Sequence, residues 1–332
     1  MIVMLGDVRA RLGELAPESI QCIVTSPPYW GLRDYGSDGQ IGLELTPDLY
    51  VGELARLFGA LRTVLRTDGT LWLNLGDTYA GSWGAQSRGG NSALADRSVS
   101  AQQILAAPKR VNTGSWVKDH PTLKPKDLIG IPWRVAFALQ ASGWYLRSEV
   151  IWHKPNPMPE SVTDRPTKAH ETLFLLSKAE HYYYDGAAIR EAEAPGTAER
   201  YEYDFKDRYS EVTDSHGYRG RFGGKDGFKK PAGNNPLGPG GRNKRSVWTI
   251  PTQPYPEAHF ATFPEALVEP CIKAGSREGD TVLDPFAGSG TTLAVARRLG
   301  RKAIGIELQP DYLPLIQKRV RDAAMPLLEA LA

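Results

Sequence analysis

Two short runs at opposite ends of the chain carry residue types able to do chemistry. Near the C-terminus, Thr281-Val282-Leu283 leads into Asp284-Pro285-Phe286-Ala287-Gly288-Ser289-Gly290-Thr291-Thr292 and then a helical stretch to Leu299. A strand feeding a Gly-x-Gly turn and a helix brings bare backbone amides close to a ligand at the C-terminal edge of a parallel sheet. A dinucleotide turn would place a third glycine at the helix start, where this chain has Thr291 and Thr292, and there is no Gly-x-x-x-x-Gly-Lys phosphate loop. Glu307 follows the strand-like run Lys302 to Ile306 and stands where an acid binds ribose hydroxyls. The pattern expects a cofactor with a ribose and no phosphate; a dinucleotide fold or a plain structural turn are the alternatives. Near the N-terminus, the apolar run Ile20 to Thr25 enters Ser26-Pro27-Pro28-Tyr29-Trp30. The two prolines forbid helix and sheet ladder alike. They hold the Ser26 hydroxyl and the Pro27 carbonyl as rigid acceptors beside an aromatic face, although a stiff loop with a packed tyrosine would look the same.

S-adenosylmethionine is the common cofactor with a ribose and no phosphate. The run DPFAGSGTT, Asp284 to Thr292, resembles the cofactor motif of amino-directed DNA methyltransferases, and TSPPYW, Thr25 to Trp30, resembles their catalytic motif. In this order, with a basic segment between, they resemble the β class of that family over nearly the whole chain. The resemblance implies an α/β fold of the S-adenosylmethionine-dependent, Rossmann-like type. Its sheet is mostly parallel and seven-stranded with one antiparallel strand, circularly permuted, and it carries an inserted recognition segment. The strand before Asp7 would then lie beside the strand ending at Glu307.

By the same resemblance, Glu307 holds the ribose hydroxyls, Asp7 accepts from the adenine amino group, and Asp284 to Gly290 cradle the methionine portion, with Thr25, Thr291 and Thr292 beside them. His259, Phe260 and Thr262, in the run His259 to Pro264, match an additional cofactor motif just upstream; a lone histidine by itself says little. Ser26, Pro27, Pro28 and Tyr29 form the catalytic set. An exocyclic amine is a poor nucleophile because its lone pair is delocalised into the ring, and acceptors placed against its hydrogens localise that pair. Positioning then carries most of the catalysis. Tyr29 would stack on the extruded base and offset part of the cost of unstacking it. Family members with serine at the first motif position resemble cytosine-N4 enzymes, whereas adenine-N6 enzymes usually carry Asp or Asn there, so cytosine N4 is expected and adenine N6 is the alternative. Trp152 to Asn156 and Leu75 to Thr78 occupy the places of further motifs near the base pocket; Trp152 and Asp77 are equally readable as a core aromatic and a cap.

The elements that must position these groups follow from periodicity. Ile2 to Leu5, Ile20 to Thr25 and Thr70 to Leu75 read as buried strands, and Pro47 to Arg66 as a helix capped by Thr46. Trp144 to Trp152 and Glu171 to Ser177 read as a strand pair at one sheet edge, and Pro132 to Ala141, Pro264 to Ala274 and Pro310 to Ala323 as helices. By the resemblance, residues 1–178 would form the catalytic half, interrupted by a Gly-, Ser- and Ala-rich loop at 82–121, and residues 251–332 the cofactor half. Between them, 179–250 is the expected recognition segment. Arg219, Arg221, Lys229, Lys230, Arg242, Lys244 and Arg245 are its candidate DNA contacts, since basic groups spaced by glycine and aromatics suit phosphate tracking and stacking. A solvated insertion has the same composition.

Composition bounds the rest. At 332 residues, 41% hydrophobic and 23% charged, the chain can bury a full core. Its net charge of +2 leaves nucleic-acid binding to local patches. The two cysteines, Cys22 and Cys271, fall in apolar runs and suit reduced buried thiols; no metal site is expected. Cys271 follows Pro270, as the nucleophile of carbon-5 cytosine enzymes does, but its apolar helical setting makes it packing. No apolar run has the length of a membrane helix, and a cytoplasmic protein is expected. Double-stranded DNA is the expected partner, a cognate restriction endonuclease a possible one, and monomer or homodimer stays open. A methyltransferase for RNA or a small molecule, and a DNA-binding protein with a relic pocket, are the competing functions.

Overall fold

A computed structural model describes residues 1–31, 39–80, 122–192, 241–253 and 263–329. Met1–Asp185 together with Ser246–Ala332 make one compact unit, and Gly186–Arg245 make another. The first unit is built on an eight-stranded sheet. Its strands are β1 (Ile2–Leu5), β2 (Ile20–Thr25), β3 (Leu65–Leu75), β4 (Tyr145–His153), β5 (His170–Ser177), β6 (Val247–Thr249), β7 (Thr281–Asp284) and β8 (Lys302–Glu307), in the order β1-β8-β7-β2-β3-β5-β4-β6.

The ladders from β1 through β8, β7 and β2 to β3 are all parallel. β5 runs antiparallel to both of its neighbours, β3 and β4, and β6 is parallel to β4. One antiparallel strand was expected and one is present. The eighth strand exceeds the expected seven: the three residues of β6 are too few to show a period, yet Trp248 is buried opposite Trp152. The first strand of the chain pairs with the last, Leu5 opposite Glu307, so the sheet has the permuted order that the motif order implied.

Parallel strands buried on both faces read as continuous apolar runs, and every residue of β2 is buried. Helix α1 (Val8–Arg11) leaves β1 with Asp7 as its cap. Helix α2 (Pro47–Val64) starts where Thr46 Oγ1 accepts from the Leu49 amide, with proline at its first turn. Its end lies at Val64 rather than Arg66 and β3 begins at Leu65, because fully buried Leu65 pairs with Ile20. Helix α3 (Ile131–Ala141) is entered through Asp77, whose Oδ1 accepts from the Gly130 and Ile131 amides at 3.0 Å each. Asp77 is therefore a cap. Helices α4 (Glu265–Gly275), α5 (Thr291–Arg298) and α6 (Leu313–Glu329) complete the layers.

The core of Tyr50, Phe58, Leu61, Leu71, Leu73 and Phe174 lies between α2, α3 and the sheet. Cys22 and Cys271 are fully buried and neither is in a disulfide. Cys271 Sγ donates to the Leu267 carbonyl at 3.1 Å, one turn back in α4, which fits packing. Among the described residues no helix is long and apolar enough to cross a membrane, and no cluster of His, Cys, Asp or Glu could hold a metal ion.

Candidate active site

In a parallel sheet the loops at the C-terminal strand ends share one edge. Here that edge collects Asp7 after β1, Thr25 and Ser26 at the end of β2, Asn74 near the end of β3, Asp284 closing β7 and Glu307 closing β8. β5 runs the other way, so its beginning, Glu171, arrives at the same edge opposite Trp152 of β4.

Asp284 is the junction of the two motifs. Thr25 Oγ1 donates to Asp284 Oδ1 at 2.7 Å, Thr292 Oγ1 donates to Oδ2 at 2.7 Å, and the Phe286 amide donates to Oδ1 at 3.1 Å. Asp284 and both threonines are buried, and burial pushes the Asp284 carboxyl up to about 6 against the three donors that hold it down. The glycine turn follows: the Ala287 amide donates to the Ile306 carbonyl, and Gly290 adopts φ +82° as the cap of α5. Ser289 and Thr291 turn away from the strand ends, both accepting from Arg319 of α6 at 2.6 Å, so these two side chains clamp the loop to its neighbouring helix.

Glu307 faces the turn. Its Oε2 accepts from the Gly288 amide at 2.7 Å and its Oε1 from the Gln309 amide at 2.8 Å. Among the described residues no cation pairs with it, and burial raises its carboxyl to about 7. A buried carboxylate held by two amides and lacking a cation is suited to a neutral double donor such as a ribose diol. Asp7 is brought close by the Gly6 amide, which donates to the Glu307 carbonyl at 2.8 Å. Its own carboxylate is occupied: Arg9 donates from its amide at 2.8 Å and from Nε at 2.9 Å, and the guanidinium holds the carboxyl below its ordinary value. An adenine amino group would share Asp7 with Arg9. His259, Phe260 and Thr262 lie outside the described residues.

On the other side of Thr25 the Ser-Pro-Pro-Tyr corner is fixed from several directions. Tyr50 of α2 donates its hydroxyl to the Pro28 carbonyl at 2.8 Å, while among the described residues no donor reaches the Pro27 carbonyl, leaving it available as an acceptor. The Tyr29 ring lies on Gly76, where a Cβ would come within 2.5 Å of its Cε2. Its hydroxyl is enclosed: Ser26 Oγ donates to it at 3.2 Å, it donates to Glu171 Oε2 at 2.7 Å, and Asn74 Nδ2 reaches it at 2.8 Å. Asn74 also donates to Glu171 Oε2 at 2.8 Å and approaches Ser26 Oγ at 3.4 Å. Lys154, just past β4, pairs with Glu171 Oε1 and lies over the Trp152 ring at 4.3 Å. Burial, reinforced by the Glu171 charge, pushes the Tyr29 phenol well above its ordinary value.

Sequence reasoning missed Asn74 and Glu171. Asn74 interrupts the apolar run Leu71 to Leu75 of β3, a signal that a buried polar group has a task. Glu171 gave none, because an acid at a strand start is usually solvated.

In the unit Gly186–Arg245, three of the expected basic contacts converge on one acid: Arg242 Nε, Lys244 Nζ and Arg245 Nε lie 3.3, 3.8 and 3.1 Å from the Glu191 carboxylate. Arg219, Arg221, Lys229 and Lys230 lie outside the described residues.

Known proteins match this arrangement. A family model described as DNA methylase, of the N6/N4 methyltransferase type, matches residues 20–318. The Type II methyltransferase M.Cfr9I of Citrobacter freundii is 44% identical over 320 residues, covering 95% of this chain and 86% of the relative. M.SmaI of Serratia marcescens is 43% identical over 321 residues, covering 96% and 90%. Among solved structures, the PvuII cytosine-N4-specific DNA methyltransferase shares the fold with a TM-score of 0.59 at 17% identity, covering 98% of this chain and 92% of that one. TTHA0409 of Thermus thermophilus, solved complexed with S-adenosyl-L-methionine, superposes with a TM-score of 0.54 at 22% identity, covering 97% and 93%. With both motifs tied together at one sheet edge and the match running through nearly all of the first unit's sheet, the chain belongs to the N6/N4 family of S-adenosylmethionine-dependent Type II DNA methyltransferases.

Proposed function

We propose that this enzyme methylates the exocyclic N4 of cytosine in duplex DNA, on a base everted from the helix. The observation that carries the reading is the state of Ser26. Its hydroxyl proton is already committed to Tyr29, 3.2 Å away, so its oxygen faces the site as an acceptor for an amino hydrogen. The Pro27 carbonyl supplies a second acceptor. The first motif position holds serine, as in the cytosine-N4 members that the motif resembles.

S-adenosylmethionine supplies an electrophilic methyl group on a positively charged sulfur. Glu307 would hold its ribose, the Asp284 to Gly290 turn its methionine portion, and Asp7 its adenine amino group in company with Arg9; the run containing His259, Phe260 and Thr262 would complete the binding set. Thr25, fixed on Asp284, sets the reach between donor and target. The catalytic residues hold the amine in line, and Tyr29 offers its outer face to the everted base.

In this reading 179–250 reads the DNA sequence through Arg219, Arg221, Lys229, Lys230, Arg242, Lys244 and Arg245, and 1–178 and 251–332 form the two halves of the catalytic domain; the expected loop at 82–121 lies outside the described residues. The protein is read as cytoplasmic, with a cognate restriction endonuclease as a candidate partner, in keeping with relatives that are Type II methyltransferases. Incubation with methyl-labelled cofactor and duplex DNA, followed by digestion to nucleosides, tests the reading. Label in 4-methylcytosine is expected. Label in 6-methyladenine would overturn the cytosine assignment, and label in RNA alone would move the substrate class.

A further inference from the structure

Methylation of an amino group leaves a proton to dispose of. The N–C bond forms from the nitrogen lone pair as the sulfonium C–S bond breaks, its electron pair staying on sulfur, and the nitrogen must then shed one hydrogen as a proton. From the target site, the hydrogen bonds of the corner run in a single direction. Ser26 Oγ donates to the Tyr29 hydroxyl at 3.2 Å, and that hydroxyl donates to Glu171 Oε2 at 2.7 Å. The chain of donors ends on a carboxylate that belongs to neither sequence motif.

We infer that Ser26, Tyr29 and Glu171 form a proton relay that carries the amino proton from the target nitrogen to the Glu171 carboxylate. The inference rests on amino methylation at Ser26 and holds for a cytosine or an adenine target. As the N–H bond breaks, its electrons stay on nitrogen and the proton passes to Ser26 Oγ. The serine proton passes to the tyrosine oxygen, and the tyrosine proton to Glu171 Oε2, which becomes a neutral carboxylic acid and later returns the proton to solvent. Both hydroxyls end as they began, and one carboxylate has taken up one proton.

The surroundings suit each member. The Tyr29 phenol is kept protonated, so it acts as a conduit and never as a standing anion. Asn74 Nδ2, shared among Ser26, Tyr29 and Glu171, keeps the three oxygens in register. Among the described residues the cations facing Glu171 are Lys154, paired with Oε1, and Lys168, whose ammonium feels its charge. Oε2, the oxygen that takes the tyrosine proton, carries only neutral donors among the described residues. Lys154 therefore holds the carboxylate by its far oxygen without covering the receiving atom.

Glu171 and the Tyr29 hydroxyl act through Ser26, so the test must separate relay from support. In E171Q the amide oxygen still accepts from Tyr29 but cannot take up its proton; in Y29F the stacking ring stays and the conduit is cut. Single-turnover methylation is expected to fall on the order of 10²-fold in each. The double variant should be no slower than the worse single one, because the two groups act in series. Cofactor affinity, and base eversion read by 2-aminopurine fluorescence in a duplex, should stay as in the wild type, and E171D should recover part of the rate. Rates within about twofold of wild type in Y29F, effects that multiply in the double variant, or a parallel loss of eversion would each overturn the relay. Y29F keeps the question open to test if E171Q, with Lys154 left beside an amide, fails a thermal-melt check of folding. A wild-type enzyme that labels no DNA base would sink the functional reading itself, whereas a working wild type with indifferent variants sinks only the relay.

Discussion

Thr25 and Asp284, which are 259 residues apart in sequence, share a buried hydrogen bond of 2.7 Å. The bond spans adjacent strands β2 and β7 and joins the Ser-Pro-Pro-Tyr corner to the glycine turn, the proposed base and cofactor sides of the site. In the proposed function this bond would hold the two sides of the site at a fixed spacing. Replacing Thr25 by valine keeps the volume and removes the donor, leaving Asp284 buried with one bond fewer. A stability loss of about 1–3 kcal/mol is expected, read as a lower melting temperature, together with weaker cofactor binding in calorimetry. A variant as stable as the wild type would mean that the bond only accompanies the packing.

Glu307 predicts opposite pH slopes for stability and for binding. Its folded carboxyl lies at about 7 against an ordinary 4.5, so between these values the folded protein keeps a proton that the unfolded chain has lost. The stability it contributes is complete at pH below about 4.5 and is lost as pH rises through about 7. Relative to E307Q, the ligand-free wild type should therefore lose melting temperature over that window. Cofactor affinity should move the other way, rising with pH until about 7 and then levelling, since in the proposed function the carboxylate form would accept both ribose hydroxyls. Parallel slopes in melting and titration calorimetry would exclude Glu307 from cofactor binding.

Gly290 and Gly52 form a matched pair. Gly290 sits at φ +82° with Ile316 of α6 3.1 Å from where a Cβ would stand, so Gly290→Ala is expected to cost about 1–2 kcal/mol from the left-handed backbone alone. Gly52 lies exposed within α2 with nothing within 4 Å of its Cβ position, and Gly52→Ala should gain about 0.5–1 kcal/mol. Chemical denaturation of both variants reads the two signs directly.

Gly76 gives the Tyr29 ring its seat. A methyl group there would stand 2.5 Å from Tyr29 Cε2, too close for the ring to remain. Gly76→Ala is expected to reduce single-turnover methylation by at least about tenfold, while cofactor affinity stays within experimental error because Glu307 and Asp284 are untouched. Loss of cofactor binding instead would show that the two halves of the site are coupled through β3.

Much of the backbone of the candidate site is legible in the amino-acid order alone. Proline pairs and positive-φ glycines impose conformations that few other residues accept, so Ser26 to Tyr29 and Gly288 to Gly290 announce their backbone shapes, and the apolar runs of β2, β3, β7 and β8 announce burial without long-range information. Boundaries were less legible: Leu65 reads as the end of a helix, and only its pairing with Ile20 makes it the start of a strand. What the site's polar groups do emerged only with the folded arrangement. Folding turned Ser289 and Thr291 toward Arg319, gave Asp7 to Arg9, and gathered Arg242, Lys244 and Arg245 around Glu191. It also brought Glu171 to Tyr29, because β5 runs against the sheet and begins where its neighbours end. Local sequence encodes dihedral preference and burial; which donor meets which acceptor depends on strand order and direction, and those are settled only when distant segments pack.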